Sequence, residues 1–148
     1  MMSKPPPGRP QILSAVFYRE PLAAIDWLCK AFGFEIAIRA VGKDGTLQHA
    51  ELRVGEGAIM IGGEGARPGD PDSAFRSSPL SLGGKNTQAM MVYVGDVDAL
   101  WAQARTAGAK ITSEPKDNDY GPAYWADRNV EIEDLEGHRW WFVQRMRG

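Results

Sequence analysis

The sequence has 148 residues, 43% of them hydrophobic and 24% charged, which is the size and composition of one globular domain. Its formal net charge is −2, with acids and bases mixed along the chain, so we expect neither nucleic acid nor membrane as a partner. Cys29 is the only cysteine, which excludes an intramolecular disulfide and a zinc site of several thiolates. No apolar run has membrane-spanning length and no leader pattern is visible, so we expect a cytoplasmic protein.

The first half of the chain predicts one helix among four strands. Residues 1–11 are rich in proline and are predicted to form a disordered tail. A short β-prone run over 12–18 precedes a helix that begins at Pro21 and ends at Gly33. The apolar residues at helical spacing are Ile25, Leu28, Cys29 and Phe32. Three further strands are predicted within residues 34–41, 46–55 and 57–63.

The second half repeats this order. A strand over 87–94 is followed by a helix that Asp96 opens and Gly108 ends, and by strands within 109–115, 129–134 and 138–144. Corresponding residues lie 75 positions apart, as in the pairs Tyr18 and Tyr93 or Gly33 and Gly108. We therefore predict two β-α-β-β-β repeats, about 12–62 and 88–144, joined by a flexible Gly-, Pro- and Ser-rich loop over 63–87.

Two motifs give this repeated pattern a family resemblance. The segment "AIDWLCKAFGFE" ends the first helix, and "EDLEGHRWWFV" closes the last hairpin. In this order they resemble the vicinal oxygen chelate superfamily, which contains glyoxalases, bleomycin-resistance proteins and extradiol dioxygenases. The segments "HAELRVGEGAIMIGGE" and "EGHRWWF" are most similar to an uncharacterised glyoxalase-like subgroup. The resemblance implies an α+β fold in which both repeats form a half-closed mixed sheet around a ligand cavity, and it implies a homodimer.

The resemblance also implies where a metal would be bound. Metal-dependent members place His, Gln or Glu side chains on four strands, and here those positions fall at or near Ser14, Met60, Gln88 and Trp141. Only Gln88 offers an oxygen donor of this kind, and a neutral amide does not replace a carboxylate on a divalent cation. We therefore expect no metal and no cofactor. An indole at Trp141 instead suits a flat or cationic ligand.

His49 and Glu51 are the best acid–base candidates in the chain. They are two residues apart, so on a strand they share a face and flank one ligand. The alternative is a hydrated polar face on which Glu51 pairs with Arg53, Arg39 or a second subunit.

The segment "DYGPAYWADR", residues 119–128, is predicted to be a loop at the cavity mouth. Tyr120 and Arg128 there are candidate ligand-binding residues, because they suit an aromatic or carboxylate group. Arg128 alternatively pairs with Glu131 or Asp134. His138 is interpreted as a solvent-facing or turn-bonding histidine and not as a catalytic one.

Two functions are compatible with these patterns. The first is metal-independent binding of a small molecule, in the form of sequestration of an aromatic or drug-like compound. The predicted cavity residues are Ser14, His49, Glu51, Met60, Gln88 and Trp141. The alternative is a lyase, isomerase or dioxygenase of the glyoxalase type, with an altered metal site or with His49 and Glu51 as its base. A domain that only mediates protein contacts has less support, since little of the chain lies outside the repeats.

Overall fold

The computed structural model describes residues 1–148, which divide into two compact units. Unit 1 contains residues 1–29 and 33–78, and unit 2 contains residues 30–32 and 79–148. The boundary between residues 78 and 79 lies inside the loop predicted to join the repeats. Each unit has a mixed sheet of its own, as expected for two repeats that each supply a complete set of strands.

Unit 1 has the β-α-β-β-β order predicted from its sequence. Its elements are β1 Ser14–Tyr18, all but the last three residues of α1 Pro21–Phe32, β2 Glu35–Val41, β3 Leu47–Val54 and β4 Gly57–Gly63. The strand order is β1-β4-β3-β2, with β1 parallel to β4 and the other neighbours antiparallel. Helix α1 carries the chain from β1 across to β2, and the two antiparallel pairs β2–β3 and β3–β4 then bring β4 back beside β1 in the same direction. Parallel strands need such a long connection, because a tight turn cannot join them.

The two faces of the unit 1 sheet differ in character because side chains alternate along each strand. One face is apolar and buried, and it carries Val16, Tyr18, Ala50, Leu52, Ile59 and Ile61. Helix α1 buries its own apolar residues Ala24, Ile25 and Leu28. The opposite face, which we call the cavity face, carries Ala15, Phe17, His49, Glu51 and Met60, as the strand register shows. The functional interest of unit 1 therefore lies on the cavity face.

Unit 2 has one strand more than predicted. Its elements are β5 Met90–Tyr93, α2 Val97–Thr106, β6 Lys110–Ile111, β7 Lys116–Asp119, β8 Ala126–Glu133 and β9 Arg139–Arg147. The strand order is β5-β9-β8-β6, and β7 also pairs with β8. The single strand expected over 109–115 is wrong, since β6 has only two residues and β7 begins after Pro115. Proline has no backbone N–H to donate to a ladder, so the edge is interrupted there.

Both helices have the ends that the sequence predicts. Helix α1 begins at Pro21, and it ends at Gly33, whose φ of 73° is readily adopted only by glycine. Helix α2 is capped by Asp96, whose carboxylate accepts a hydrogen bond of 3.0 Å from the backbone N–H of Ala99. Neither helix has the length and apolar character needed to cross a membrane.

The predicted joining loop is folded over much of its length. It contains two short 3₁₀-helices, Pro71–Phe75 and Pro79–Leu82. Within unit 1, the Glu64 carboxylate accepts a hydrogen bond of 2.8 Å from the backbone N–H of the buried Ser78. Arg19 lies 3.4 Å from the other oxygen of the same carboxylate. These contacts hold both ends of the segment 64–78 against unit 1.

Asp134 organises the turn between β8 and β9. Its Oδ1 accepts hydrogen bonds of 3.0 Å from the backbone N–H groups of Glu136 and His138. Its Oδ2 accepts a bond of 3.0 Å from the indole N–H of the buried Trp140. Asp134 is itself buried. The acids of "EDLEGHRWWFV" thus include a turn-forming carboxylate, and His138 takes part in that turn through its backbone.

Candidate functional site

The cavity face of unit 1 bounds a cavity of about 630 Å³. Its other walls are the N-terminal end of α1, the β2–β3 turn and the segment 64–76. The side chains most relevant to ligand binding are Phe17, His49, Met60, Phe75 and Arg76. A volume of this size is typical of small-molecule sites, and the lining combines aromatic and apolar side chains with polar and charged ones.

Aromatic and cationic contacts hold the outer wall of the cavity. The guanidinium carbon of Arg76 lies 4.7 Å from the centre of the Phe17 ring, which is a cation–π arrangement. The Phe75 ring meets Phe17 edge to face, with 5.9 Å between the ring centres. Phe75 is also well exposed, so its ring is accessible from the cavity mouth. The sequence pattern gave no signal for this wall, because residues 64–76 have neither helical nor strand periodicity.

The strand register shows that Ala15, and not the predicted Ser14, faces the cavity from β1. Ser14 pairs with Ile59, which is buried, so the Ser14 side chain belongs to the apolar face. Ala15 pairs with Met60, and both of these residues line the cavity. The placement of Ser14 in the cavity was therefore wrong, because a shift of one residue reverses the face of a strand.

His49 and Glu51 do meet on the cavity face, as predicted from their spacing. Nε2 of His49 lies 3.1 Å from Oε1 of Glu51. The Glu51 side chain is only 6% exposed, and Arg9 holds it with two guanidinium hydrogen bonds, one of them 2.8 Å long. Two of the expected partners of Glu51 were wrong, since Arg53 pairs with Glu35 and Arg39 pairs with Asp26.

The environment of Glu51 limits what this pair can do chemically. The hydrogen bonds from Arg9 lower the pKa of Glu51 from its usual value of 4.5 to about 2. Burial opposes this shift, and the hydrogen bond from His49 adds to it. A carboxylate with so low a pKa is a weak proton acceptor near neutral pH. Glu51 therefore orients His49, and the imidazole is the one of the two that lines the cavity.

Unit 2 carries a second apolar surface, formed by β5 and β9. Met91 pairs with Trp141 in the same parallel arrangement as Ala15 with Met60 in unit 1. Both side chains are substantially exposed, Met91 at 49% and Trp141 at 41%. Gln88 lies outside the strand, two residues before β5 begins, so its placement on this strand was wrong.

These four positions do not fit the metal centre that the sequence resemblance implies. The resemblance puts these positions at or near Ser14, Met60, Gln88 and Trp141, and the strand pairs found at or beside them are Ala15 with Met60 and Met91 with Trp141. None of these side chains has a carboxylate or imidazole, the donors expected for an open divalent site. No group of three or more His, Cys, Asp and Glu residues is arranged to hold a metal.

Arg145 centres a polar and aromatic cluster in unit 2 that the sequence did not reveal. Its guanidinium donates to the buried Asp127 at 2.7 Å and to the Tyr93 hydroxyl at 3.0 Å. It also lies 5.1 Å from the Trp125 ring centre, and the Trp125 indole N–H donates to Asp127 at 3.1 Å. Strand alternation puts Trp141, Val143 and Arg145 on one face of β9, and this pattern could have indicated the cluster. The predicted strand ended at residue 144, however, and so did not include Arg145.

Of Tyr120 and Arg128, only Tyr120 lies in a loop. Arg128 lies within β8, not in a loop, and its three guanidinium nitrogens donate to Asp98 and Asp117 at 2.8 to 3.1 Å. The carboxylates raise the pKa of Arg128, and Glu131 and Asp134 are not among its partners. Its assignment as a ligand-binding residue stays a prediction. Tyr120 is exposed and packs on Trp125, with 5.6 Å between the ring centres.

Comparison with known proteins confirms the family resemblance. A family model of the Glyoxalase/Bleomycin resistance protein/Dioxygenase superfamily matches residues 12–142. The uncharacterized protein Mb0911c of Mycobacterium bovis is 33% identical over 125 residues, or 84% of this chain and 76% of that protein. TioX from Micromonospora sp. ML1 superposes with a TM-score of 0.67 at 30% identity, over 91% of this chain and 98% of TioX.

A more distant solved structure has the same fold. The genomically encoded fosfomycin resistance protein FosX from Listeria monocytogenes superposes with a TM-score of 0.62 at 11% identity. The match covers 97% of this chain and 94% of FosX. The chain thus belongs to the Glyoxalase/Bleomycin resistance protein/Dioxygenase superfamily.

Proposed function

We propose that this protein binds a small aromatic molecule in the unit 1 cavity without a metal ion. The observation that carries the proposal is a cavity of about 630 Å³ that is lined by Met60, one of the positions expected for a metal ligand, and by Ala15, the neighbour of the other expected position, Ser14. An alanine leaves space there, and a methionine offers a flexible, polarizable surface. A ligand would then be recognised by shape and ring contacts and not by coordination.

The lining favours a planar ring over a purely polar compound. Phe17 and Phe75 present ring surfaces, and Met60 supplies a thioether suited to contact with an aromatic ring. His49 and Arg76 add polar groups that would orient the ligand. Sequestration is favoured over conversion, because the Glu51 carboxylate is already held by Arg9.

Blocking the cavity is the most direct test of the site. A panel of planar aromatic compounds is first screened by thermal shift, since a ligand that binds the native state raises its melting temperature. Ala15→Trp should fill the cavity and abolish the shift, while the circular dichroism spectrum stays that of the wild type. Ala23→Trp on the exposed side of α1 adds the same indole elsewhere and should bind as the wild type does. Equal binding by both variants would contradict the cavity as the site.

We predict that neither the stability of the protein nor its ligand binding depends on a metal ion. The protein purified without a histidine tag is expected to contain no stoichiometric metal, and treatment with EDTA should leave its melting temperature and ligand affinity unchanged. Addition of Mn²⁺, Ni²⁺ or Zn²⁺ should likewise produce no saturable rise in melting temperature. Metal bound at one equivalent per chain, and lost with EDTA together with ligand binding, would contradict this part of the proposal.

A second candidate function is catalysis with His49 as the base. The observation in its favour is that His49 lines the cavity and is hydrogen-bonded to Glu51 at 3.1 Å. A carboxylate that orients an imidazole is a common arrangement for proton transfer. Turnover of glyoxalase or catechol substrates that His49→Ala removes would favour the enzyme. Ligand binding without turnover, unchanged in His49→Ala, would favour the binding protein.

We also propose that the protein is a homodimer. Strand β2 lies at the edge of the unit 1 sheet and exposes the apolar side chains of Ile36, Ile38 and Val41. An apolar edge strand is a ready surface for association with another chain. Light scattering coupled to size exclusion should give twice the 16.2 kDa of one chain, and a monomer would contradict the dimer.

A further inference from the structure

The unit 1 cavity contains an arginine whose charge has no carboxylate partner. We propose that Arg76 binds an anionic group, a carboxylate or a phosphate, on the aromatic ligand. This inference rests on the proposed function, since it names the chemical class of the ligand for the same cavity. The aromatic part would contact Phe17, Phe75 and Met60, and the anionic part would lie against the guanidinium.

The other arginines that line the cavity are paired. Arg19 lies 3.4 Å from the Glu64 carboxylate, and Arg67 lies 3.0 Å from that of Asp70. Arg76 makes no ion pair, and its Nε is buried without a hydrogen-bond partner. A half-buried guanidinium is commonly paired with a carboxylate or phosphate, which accepts two parallel hydrogen bonds from it. Arg76 is therefore the arginine of this cavity lining that the protein itself leaves without an ion pair.

The position of the Arg76 side chain depends on a glycine beneath it. A Cβ atom built at Gly62 would lie 2.0 Å from Nη2 of Arg76, so only a hydrogen atom fits at that place. The guanidinium carbon lies over the face of the Phe17 ring, 4.7 Å from its centre. This contact uses none of the guanidinium N–H groups as hydrogen-bond donors, so they stay donors for an acceptor. The Phe17 ring and the lack of a side chain at Gly62 together define where the guanidinium lies.

The electrostatics of the segment agree with this assignment. Burial, followed by the charge of Arg67, lowers the pKa of Arg76 from its usual range, and the charge of Asp70 opposes these effects only in part. The positive charge is therefore undercompensated by the protein itself. An anionic ligand group would supply the missing charge and the missing hydrogen-bond acceptors.

A simpler role for Arg76 is to clamp the segment 64–76 onto the sheet through Phe17. The two roles differ in one measurable respect, the preference for a charged ligand. Three probes of one shape separate them: 2-naphthoate, 2-naphthyl phosphate and the neutral 2-naphthamide. The wild type is expected to bind at least one of the anions about tenfold or more tightly than the amide, as measured by titration calorimetry. The tighter of the two anions identifies whether a carboxylate or a phosphate is preferred.

The Arg76→Gln variant should lose this preference. Its affinity for the preferred anion is expected to fall by about tenfold or more, to that of the amide, while the affinity for the amide is unchanged. Arg53→Gln is the control and should bind all three probes as the wild type does, because it removes the same charge from a paired and exposed arginine of unit 1 that does not line the cavity. Gly62→Ala retains the arginine and displaces its guanidinium, so it should also reduce anion binding, and it provides a second variant if Arg76→Gln does not fold.

The outcomes distinguish this inference from the function on which it rests. Equal affinity of the wild type for all three probes, with Ala15→Trp abolishing binding, would leave the aromatic site intact and refute the anionic anchor. An anion preference that Arg76→Gln and Gly62→Ala both retain would also refute it. Failure of all three probes to bind would count against both the anchor and the proposed aromatic-binding function.

Discussion

Replacement of Asp134 by alanine is expected to lower the free energy of unfolding by about 3 kcal/mol. The carboxylate is buried and accepts three hydrogen bonds, two from backbone N–H groups of the β8–β9 turn and one from the indole of Trp140. Alanine would leave the indole N–H without its acceptor inside the core of unit 2. The cost of such an unsatisfied buried donor exceeds the modest net value of one hydrogen bond.

Urea denaturation followed by circular dichroism measures this change, since the midpoint should fall without a change in slope. Asp134→Asn keeps one oxygen for the two backbone donors but turns an amide NH₂ group toward Trp140. Its stability should therefore lie between those of the wild type and Asp134→Ala. Glu131→Ala removes the same charge from an exposed position on β8 and should have little effect. Equal destabilisation by Asp134→Ala and Glu131→Ala would refute the assigned role of Asp134.

The "EDLEGHRWWFV" segment shows why a turn-forming acid is hard to tell from a functional one by sequence. Acids next to a histidine and two tryptophans are compatible with a metal site, an acid–base site or a turn. The structure shows a turn in which Asp134 binds two backbone N–H groups and an indole. Of the two tryptophans, Trp140 is buried and Trp141 is exposed, as strand alternation requires.

The helices and most strands of this fold could be predicted because local signals specify them. Pro21, Gly33 and Asp96 mark helix ends through conformational and capping preferences that act within a few residues. Strand β7 was not predictable in this way. Its sequence, "KDND", has no apolar alternation and low β-propensity, and it is a strand because its backbone pairs with that of β8.

The candidate site was only partly predictable, for two different physical reasons. His49 and Met60 lie in strands whose alternation places them on the cavity face, whereas Ser14 was assigned to the wrong face by one position. Arg9 and Arg76 lie outside the helices and strands, so no periodic pattern indicates where their side chains point. The contact of Arg9 with Glu51 joins residues 42 positions apart and depends on the folded chain.

Loss of the Arg9 side chain is expected to make the protein more sensitive to acid. In the folded wild type the pKa of Glu51 is about 2, mainly because Arg9 donates two hydrogen bonds to the carboxylate. In Arg9→Ala the burial of Glu51 is no longer offset by this partner, so its pKa should rise from about 2 toward its usual value of 4.5. Carboxyl resonances followed by NMR across an acid titration measure this change directly.

The sign of the stability change follows from the direction of that pKa shift. A carboxylate whose pKa is lower in the folded state stabilises that state fully above its unfolded pKa, near 4.5, and loses this contribution as the pH falls toward 2. Wild type should therefore exceed Arg9→Ala in stability above about pH 4.5, and the difference should shrink as the pH approaches 2. Denaturant titrations at several pH values measure the difference, with Lys4→Ala as the control for loss of a positive charge in the same tail.

The decisive comparison adds Glu51→Gln, which removes the titrating group and keeps a side chain of similar shape. If Arg9 acts through the ionised Glu51, then Arg9→Ala should have little further effect in the Glu51→Gln background, because the two residues belong to one interaction. The pH-dependent part of the stability difference should vanish in that background as well. An Arg9→Ala effect that is the same size at every pH, or that persists in Glu51→Gln, would show that Arg9 stabilises the protein by packing over the sheet and not by holding the carboxylate.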